Sequence, residues 1–289
     1  TEEQIYQALG LPWISPVLRE DCGEIEAAEN GRLPRPIPSV IGDFHVHTSV
    51  SGDGRSSLEE VVAAAKSRGL RVLAITDHAE GTLSGVGREA LLEQRVRLRA
   101  MQAELGDSLV LLHGVELNIG PRGELDYDLE FRSTFDWCLA SVHDHFELDR
   151  AAQTHRIVTA MQDPTVRMIG HLSARMIGGR PPIMLDLDAV LRAAEVTGTA
   201  LEVNGGLPRL DMSVDALRRA RQSDVTFVLT SDAHHAHELE RVRFATLNAE
   251  RAWLDPDRVA NAWPAERLIA WTSRKVGRGV SELAKGQDA

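Results

Sequence analysis

Short apolar runs alternate with amphipathic segments along most of this 289-residue chain. The runs are rich in Val, Ile and Leu, which is typical of strands buried on both faces. Strands that alternate with helices predict parallel βα units. The predicted strands are 41–47, 71–76, 109–115, 137–142, 166–170, 199–203 and 226–230. Seven such units favour an α/β fold, a distorted (β/α)7 barrel similar to a TIM barrel, over an open sheet.

Helices are predicted between these strands near 57–68, 87–105, 149–162, 186–197 and 213–222, with more helix after Glu238 and a short helical stretch over 24–30. Ser57 and Glu60 have the spacing of a capping box, and Gly69 follows the last periodic residue of that helix. The first 40 residues are loosely patterned and rich in proline. We therefore predict a lead-in segment over 1–40 and one domain over 41–289.

Charge and cysteine content limit the classes of protein that this chain can be. The formal net charge of -11 would repel a polyanion unless metal ions or a local basic surface outweighed it, so composition neither predicts nor excludes a nucleic-acid partner. The two cysteines, Cys22 and Cys138, are far apart, which is typical of a reducing compartment and excludes a cysteine-rich zinc site. No apolar run approaches the ~20 residues that span a bilayer. The sequence thus predicts a cytoplasmic protein without a membrane partner.

Side chains that can bind metal ions follow almost every predicted strand. The carboxyl ends of parallel strands meet at one rim of a barrel, where barrel enzymes carry their active sites. One histidine at a strand end is usually an ordinary polar residue, but agreement at six strand ends favours a polynuclear metal site. The residues concerned are His45, His47, His78, Glu116, His143, His171, Asp232 and His234.

Imidazole and carboxylate ligands without thiolate suit a catalytic zinc, manganese or iron ion. His45 and His47 point to the same face of a strand, and so would Asp232 and His234 if the extended geometry continues that far. Glu116 can bridge two ions because a carboxylate has two oxygens. Ions that share it would activate a water and neutralise the charge of a phosphoryl group, so phosphoester hydrolysis needs no protein nucleophile.

The motifs around these residues resemble those of the PHP (polymerase and histidinol phosphatase) family. In chain order they are residues 43–48 (DFHVHT), 51–54 (SGDG), 75–78 (ITDH), 114–116 (GVE), 141–143 (SVH), 170–171 (GH) and 231–234 (SDAH). The resemblance covers residue 41 to the C terminus. It implies a metal-dependent phosphoric ester hydrolase with three divalent ions, which are manganese or zinc, or else iron.

Carried over position by position, the resemblance also implies which residues bind which ion. The ligands are His45, His47, Glu116 and Asp232 for the first ion, Glu116, His143 and His171 for the second, and Asp53, His78 and His234 for the third. The family varies most at the position of Asp53.

Four residues are assigned catalytic roles. Glu116 and Asp232 act through the ions, and Arg175 and Arg180, in the loop after His171, are predicted to hold the phosphate. A solvated surface loop is an equally good interpretation of the two arginines. Asp77 is expected to orient its neighbours rather than to bind metal. Five histidines match no ligand position and are interpreted as surface residues or as neighbours of the ligands, namely His113, His145, His155, His235 and His237.

Segments outside these motifs resemble bacterial family X DNA polymerases. They are residues 8–14 (ALGLPWI), 23–28 (GEIEAA), 253–254 (WL) and 268–271 (LIAW). This resemblance implies manganese-dependent 3′–5′ exonuclease and 3′-phosphatase activity on DNA ends, and it makes residues 1–40 similar to the end of the polymerase core. The sequence begins at Thr1 and contains no nucleotidyl-transfer core, as expected of a cut fragment or of a natural protein that lacks this core.

The sequence also departs from the family X pattern. Asn118 stands where an acidic residue is common, Leu172 stands where a proline is common, and residues 204–209 (NGGLPR) differ from the usual version. No departure touches a predicted ligand, but the departures leave the substrate open.

Three other functions therefore remain. The first is a small-molecule phosphomonoesterase similar to histidinol phosphatase. The second is an amidohydrolase, which also begins with His-x-His on a barrel strand; Glu116, His78 and His234 argue against it because a two-metal site has no use for them. The third is an inactive PHP scaffold, which should lack some ligands, whereas all nine positions are filled.

Overall fold

The computed structural model describes residues 1–207 and 209–273, so residues 274–289 of the predicted domain lie outside the described residues. Seven parallel strands follow one another around the sheet in chain order. The strands are β1 (Gly42–Asp43), β2 (Val72–Ile75), β3 (Val110–Asn118), β4 (Trp137–Ser141), β5 (Val166–Ile169), β6 (Ala200–Asn204) and β7 (Phe227–Thr230). The sheet curves into a nearly closed barrel with helices between its strands. The predicted distorted (β/α)7 barrel is therefore confirmed.

The helices confirm the predicted alternation. The helices are α1 (Glu2–Ala8), α2 (Glu24–Glu29), α3 (Leu58–Ser67), α4 (Arg88–Leu105), α5 (Leu129–Arg132), α6 (Arg150–Met161), α7 (Leu187–Thr197), α8 (Val214–Ala220), α9 (Val242–Arg251) and α10 (Ala265–Thr272). The predicted capping box of α3 is present: the Ser57 hydroxyl accepts from the Glu60 amide at 3.2 Å, and the Glu60 carboxylate accepts from the Ser57 amide at 2.8 Å. The short helices α1 and α5 were not predicted.

The first strand is much shorter than the predicted 41–47, because only Gly42 and Asp43 pair with β2. Beyond them, the hydroxyl of Thr76 accepts from the Val46 amide at 2.9 Å, and the Thr76 amide donates to the Val46 carbonyl at 2.8 Å. A side chain thus replaces part of the ladder at this point. The chain stays beside β2 without continuing the strand, and His45 and His47 remain at the rim.

The junction between β1 and β7, which we call the seam, is closed by contacts at both of its ends. At the carboxyl end, the His47 amide donates to the Ala233 carbonyl at 2.8 Å. At the amino end, the buried side chain of Asn261 donates to the carbonyls of Gly42 (2.8 Å) and Leu229 (2.5 Å) and accepts from the Leu229 amide at 3.1 Å. One amide side chain therefore takes the place of the strand pairing that the seam lacks.

The floor of the barrel is apolar. Phe44, Trp137 and Met168 are fully buried and belong to one cluster with Leu268 of α10. The rings of Phe44 and Trp137 lie 4.8 Å apart between their centroids. The polar side chains at the carboxyl-terminal rim of the barrel therefore lie above an apolar layer.

Residues 1–40 pack against the barrel at one side. Ile14, Leu18 and Ala28 are buried together and contact Trp253, which follows α9. The division at residue 40 stays a prediction.

Among the residues that the structure describes, no helix combines the length and the apolarity that crossing a bilayer requires. Both cysteines are free, and the cytoplasmic location stays a prediction.

We expect Asn261→Ala to lower the free energy of unfolding by about 3 kcal/mol, because it removes three hydrogen bonds and leaves buried backbone groups of β1 and β7 unpaired. Urea denaturation of the metal-free protein measures this loss. Asn30→Ala at the exposed end of α2 is the matched control and should change stability by less than about 0.5 kcal/mol. Equal effects of the two substitutions would contradict the role of Asn261 in closing the seam.

Candidate metal centre

The structure brings all nine predicted ligand residues together at the carboxyl-terminal rim of the barrel. They form four overlapping groups, in each of which one ligand atom per residue lies within 4.8 Å of the others. The groups are His47, Asp53, His78 and His234; His45, Glu116 and His171; His45, His47 and Asp232; and His78, Glu116 and His143. Each group has the size and the donor chemistry of a cation site.

Glu116 lies at the centre of the cluster because β3 is longer than predicted and carries it inside the strand, two residues before Asn118. Its two carboxylate oxygens face different neighbours. Oε2 lies 2.9 Å from His78 Nδ1, 3.2 Å from His45 Nε2 and 3.4 Å from His47 Nε2. Oε1 lies 3.0 Å from His171 Nε2 and 3.2 Å from His143 Nε2. This is the arrangement that a bridging carboxylate needs.

The loop after β1 brings Asp53 to the outer side of the cluster. Its Oδ2 lies 3.2 Å from His78 Nε2 and 3.5 Å from His234 Nε2. The Asp53 side chain is 38% exposed, whereas Glu116 is fully buried. The group that contains Asp53 is therefore the one most open to solvent.

Asp232 and His234 do not belong to the same group of ligands, contrary to the expectation from an extended strand. Asp232 has a left-handed backbone (φ 51°), so the alternation of the strand ends before it. Its Oδ1 lies 3.4 Å from His45 Nε2 and 3.5 Å from His47 Nε2, while His234 faces Asp53. The two residues consequently belong to different groups, as the family pattern implied.

Many ligand atoms of the cluster are buried and have no hydrogen-bond partner. They include Nε2 of His45, both ring nitrogens of His47, Nε2 of His143 and Oε2 of Glu116. Buried polar atoms are costly unless they are paired, and here they all point toward one small volume. A cation at this place would satisfy them, so the residues present fit divalent metal ions.

The charges of the cluster are strongly coupled. Burial alone would raise the pKa of Glu116, but the positive charges of His45, His143 and His78 hold it well below its usual range. Burial, together with the charges of His78 and His234, lowers the pKa of His47 to about 3. Glu116 is thus ionised and His47 neutral at physiological pH, which are the forms that bind metal.

Comparison with known proteins agrees with this geometry. The sequence model of the PHP domain family matches residues 43–205, which is more than half of the chain. The chain belongs to the PHP domain family. The prediction of a metal-dependent phosphoesterase is confirmed at the level of the family.

Two relatives illustrate the range of the PHP domain. The chain is 32% identical over 276 residues to the DNA polymerase/3′–5′ exonuclease PolX of Bacillus subtilis, covering 95% of this chain but 48% of that relative. It is 30% identical over 233 residues to a probable phosphatase of Vibrio parahaemolyticus, covering 76% of this chain and 88% of that relative. The chain therefore spans about half the length of the first relative and most of the second.

Two solved structures share the fold. The histidinol phosphate phosphatase of Lactococcus lactis, solved with zinc, L-histidinol and phosphate, superposes with a TM-score of 0.50 at 22% identity, over 71% of this chain and 92% of that one. The putative histidinol phosphatase of Listeria monocytogenes gives a TM-score of 0.53 at 17% identity, over 69% of this chain and 97% of that one. At these identities the likeness concerns the fold.

Asp77 of the PHP domain orients the loop after β1, as predicted from the sequence. Its Oδ1 accepts from the Thr48 amide at 2.8 Å and the Ser51 hydroxyl at 2.6 Å. Its Oδ2 accepts from the Thr48 hydroxyl at 2.7 Å and from Gln94 at 2.5 Å. The five histidines without a predicted ligand position also lie outside the four groups, namely His113, His145, His155, His235 and His237.

Sequence reasoning missed Glu202, a fully buried carboxylate inside β6. Its Oε1 lies 2.6 Å from His45 Nδ1 and accepts from the Thr230 hydroxyl at 2.6 Å. Its Oε2 accepts from the His171 amide. A histidine ligand usually donates its other ring N–H to a carboxylate, a backbone carbonyl or a water. Glu202 thus fixes the orientation of His45 and the backbone at His171 from one position.

Asn204, two residues further along β6, was also missed. Its side-chain amide donates to Oε2 of Glu202 and to Oδ2 of Asp232, both at 3.1 Å. The signal available in the sequence was Glu202 itself, the one charged residue of this strand.

The structure does not place Arg175 and Arg180 at the cluster. The Arg175 guanidinium donates to the backbone carbonyls of Arg209 (2.9 Å) and Leu210. That of Arg180 donates to the Ala174 carbonyl at 2.8 Å and lies 3.7 Å from the ring centroid of Phe146. The positions of the two arginines therefore do not support their predicted phosphate contact. The hydrophobic periodicity of the sequence predicts helices and strands, but it does not determine the path of a loop.

Arg209 reaches the cluster instead. Its Nε lies 3.2 Å from Asp232 Oδ2, and it lines the clefts above the ligands. The sequence signal for Arg209 was weak, since it lies in the stretch that departs from the family X pattern.

We expect Glu202→Gln to lower the affinity for divalent metal by about 10- to 100-fold, because the imidazole of His45 loses the carboxylate that orients it. Metal content by elemental analysis and competition with a chelating dye measure this loss, independently of catalysis. Glu104→Gln on the exposed face of α4 is the matched control and should keep full metal content. Unchanged metal affinity in Glu202→Gln would contradict the positioning role of Glu202.

Metal binding should also release protons. Burial alone would lower the pKa of His78, but the charges of Glu116 and Asp53 raise it to about 10. An ion that binds His78 must displace this proton, so affinity should rise by about tenfold per pH unit between about pH 6 and pH 8. Calorimetric titration in buffers of different ionisation enthalpy measures the number of protons released. An affinity that does not vary with pH would show that His78 is not a ligand.

Proposed function

We propose that this chain is a metal-dependent hydrolase of DNA 3′ ends, a manganese-dependent 3′–5′ exonuclease with 3′-phosphatase activity. The observation that carries the phosphoesterase proposal is the convergence of five histidines on Glu116, with Asp53, Asp232 and His234 beside them. The DNA substrate is supported by the similarity to PolX, which extends over 95% of this chain and therefore includes most of residues 1–40.

In this proposal the nine side chains hold three divalent ions, of manganese or zinc, or of iron. His45, His47, Glu116 and Asp232 would hold the first ion, and Glu116, His143 and His171 would hold the second. Asp53, His78 and His234 would hold the third. Such ions, when bound, lower the pKa of a water and neutralise charge on phosphoryl oxygens.

The chain's own residues set the geometry of the reaction. Glu202 and Asn204 hold His45 and Asp232 in place, and Glu116 keeps two groups of ligands at a fixed separation. Arg209, whose guanidinium lies beside Asp232, takes the phosphate-holding role that the sequence suggested for Arg175 and Arg180. The apolar floor of Phe44 and Trp137 excludes water from below.

The second candidate is a small-molecule phosphomonoesterase. It is favoured by the probable phosphatases of Vibrio, such as that of Vibrio vulnificus, which is 29% identical over 253 residues that cover 84% of this chain and 96% of that relative. Because those relatives are matched over nearly their full length, a PHP domain of this size is sufficient for such a protein. The substrate experiment below separates the two candidates.

We expect the purified chain with manganese to release nucleotides from a 3′-recessed DNA oligonucleotide, to remove a 3′-phosphate from DNA, and to leave histidinol phosphate intact. Glu116→Gln should lower the rate by at least roughly 10³-fold, because it removes the shared carboxylate. Glu104→Gln is the matched control. Gel electrophoresis of end-labelled DNA and a colorimetric phosphate assay provide the measurements.

The other outcomes distinguish the alternatives. Phosphate release from histidinol phosphate without DNA cleavage would establish the second candidate. Hydrolysis of amides or lactams without any turnover of phosphoesters would identify an amidohydrolase. Protein that binds no transition metal and stays inactive with added manganese would be a scaffold.

A further inference from the structure

Two adjoining clefts meet at the ligand cluster. One has a volume of about 450 Å³ and the other about 520 Å³. Both clefts include Asp53, Arg209, Asp232 and His234 in their walls. A reacting group at the metal ligands would therefore have open space on two sides.

The smaller cleft is basic. Arg55, Arg209 and Arg241 line it, together with His235 and His237, and we call it the basic cleft. The carboxylates in its wall are already engaged: Asp53 and Asp232 face the histidine ligands, and Glu238 pairs with Arg241 at 2.5 Å and accepts from the His234 amide at 2.9 Å. Once metal ions occupy the ligands, the arginines give this cleft a net positive charge, although the chain as a whole carries -11.

Arg55 is the arginine most available to a ligand. It lies two residues after Asp53 in the loop after β1, and its amide donates to the His234 carbonyl at 2.8 Å, which fixes its backbone beside the cluster. Its side chain is exposed. The guanidinium makes no hydrogen bond or ion pair with any residue in the described part of the chain. An exposed, unpaired guanidinium on a backbone held beside the ligand cluster is well suited to an anionic oxygen.

The larger cleft has a different character. Its outer wall is formed by residues 81–84, which are small or uncharged, and by Asp144. Leu83 in this wall is fully exposed. Apart from the shared Arg209, no arginine or lysine of the described residues lines it. This cleft, which we call the neutral cleft, offers an apolar contact to a base and little attraction to a phosphate.

We propose that the basic cleft binds the phosphodiester on the 5′ side of the scissile bond of a single-stranded DNA 3′ end, while the neutral cleft takes the terminal nucleoside. This inference rests on the proposed function and names the part of the site that recognises a strand. A small phosphomonoester needs one cleft beside the ions, whereas a strand that is cut near its end occupies both. Arg55 is the residue of this chain that distinguishes the two classes of substrate.

The first test measures binding without catalysis. Fluorescence anisotropy of a labelled, single-stranded oligonucleotide with non-cleavable 3′ linkages should show about fivefold weaker binding for Arg55→Ala and a larger loss for Arg55→Glu. The slope of log affinity against log salt concentration should fall by about 0.7 in Arg55→Ala, the value for one lost phosphate contact to a single strand. Arg71→Ala, at the amino end of the barrel, removes the same charge and is the matched control.

The second test measures turnover on substrates of two lengths. One is a short oligonucleotide, and the other is the p-nitrophenyl ester of thymidine 5′-monophosphate, which has one phosphodiester and no strand. In Arg55→Ala the loss of kcat/KM should be at least about fivefold larger on the oligonucleotide than on the ester, and it should appear mainly in KM. Arg71→Ala should have the same kcat/KM as the unsubstituted protein on both substrates.

The outcomes separate this inference from the proposed function. Binding that depends on Arg55 but not on Arg71, without release of nucleotides, would keep the basic cleft and refute the exonuclease. Cleavage of DNA with equal binding by the parent, Arg55→Ala and Arg55→Glu would keep the exonuclease and overturn the cleft. Failure of the parent to bind the oligonucleotide, or equal losses in Arg55→Ala and Arg71→Ala, would also overturn it.

Discussion

The carboxylate of Glu116 lies within 3.4 Å of imidazole nitrogens from five histidines. A fully buried charge costs several kcal/mol unless it is paired, and the protonated imidazoles of His45 and His78 have the same problem with opposite sign. Neither the carboxylate nor the protonated imidazoles would be stable inside the barrel without the other. Protons and metal ions are therefore competitors for the same atoms.

The need to hold this cluster explains why so many polar residues of the rim have supporting contacts. Asp77 organises the loop that carries Asp53. Glu202 orients His45, and Asn204 holds Asp232. Some carboxylates of the rim thus face the metal-ligand cluster, whereas others hold the residues that surround the cluster. A carboxylate of the supporting kind is recognised only in the structure, by the ring nitrogen or amide group that it contacts.

The sequence was sufficient to predict the barrel and the residues that meet at its rim, because parallel strands bring their carboxyl ends together whatever the details of the loops. Positions defined by that rule, such as His45, His143 and His171, lie where they were expected. Glu202 was missed since a strand pattern shows a charged residue but not its partner. Arg209, rather than Arg175 or Arg180, reaches the cluster because a loop path depends on local backbone geometry. The left-handed conformation of Asp232 separates it from His234 for the same reason.

The seam between β1 and β7 gives the cluster a mechanical role. His45 and His47 follow β1, and Asp232 and His234 follow β7, so ligands from both sides of the seam share the same groups. An ion bound there would cross-link the two ends of the sheet, and by mass action its occupancy would suppress local opening at this junction. Backbone amides of both edge strands would then exchange their hydrogens more slowly in metal-rich than in chelated protein. Such ions would therefore reinforce the carboxyl end of the seam, opposite the end that Asn261 closes.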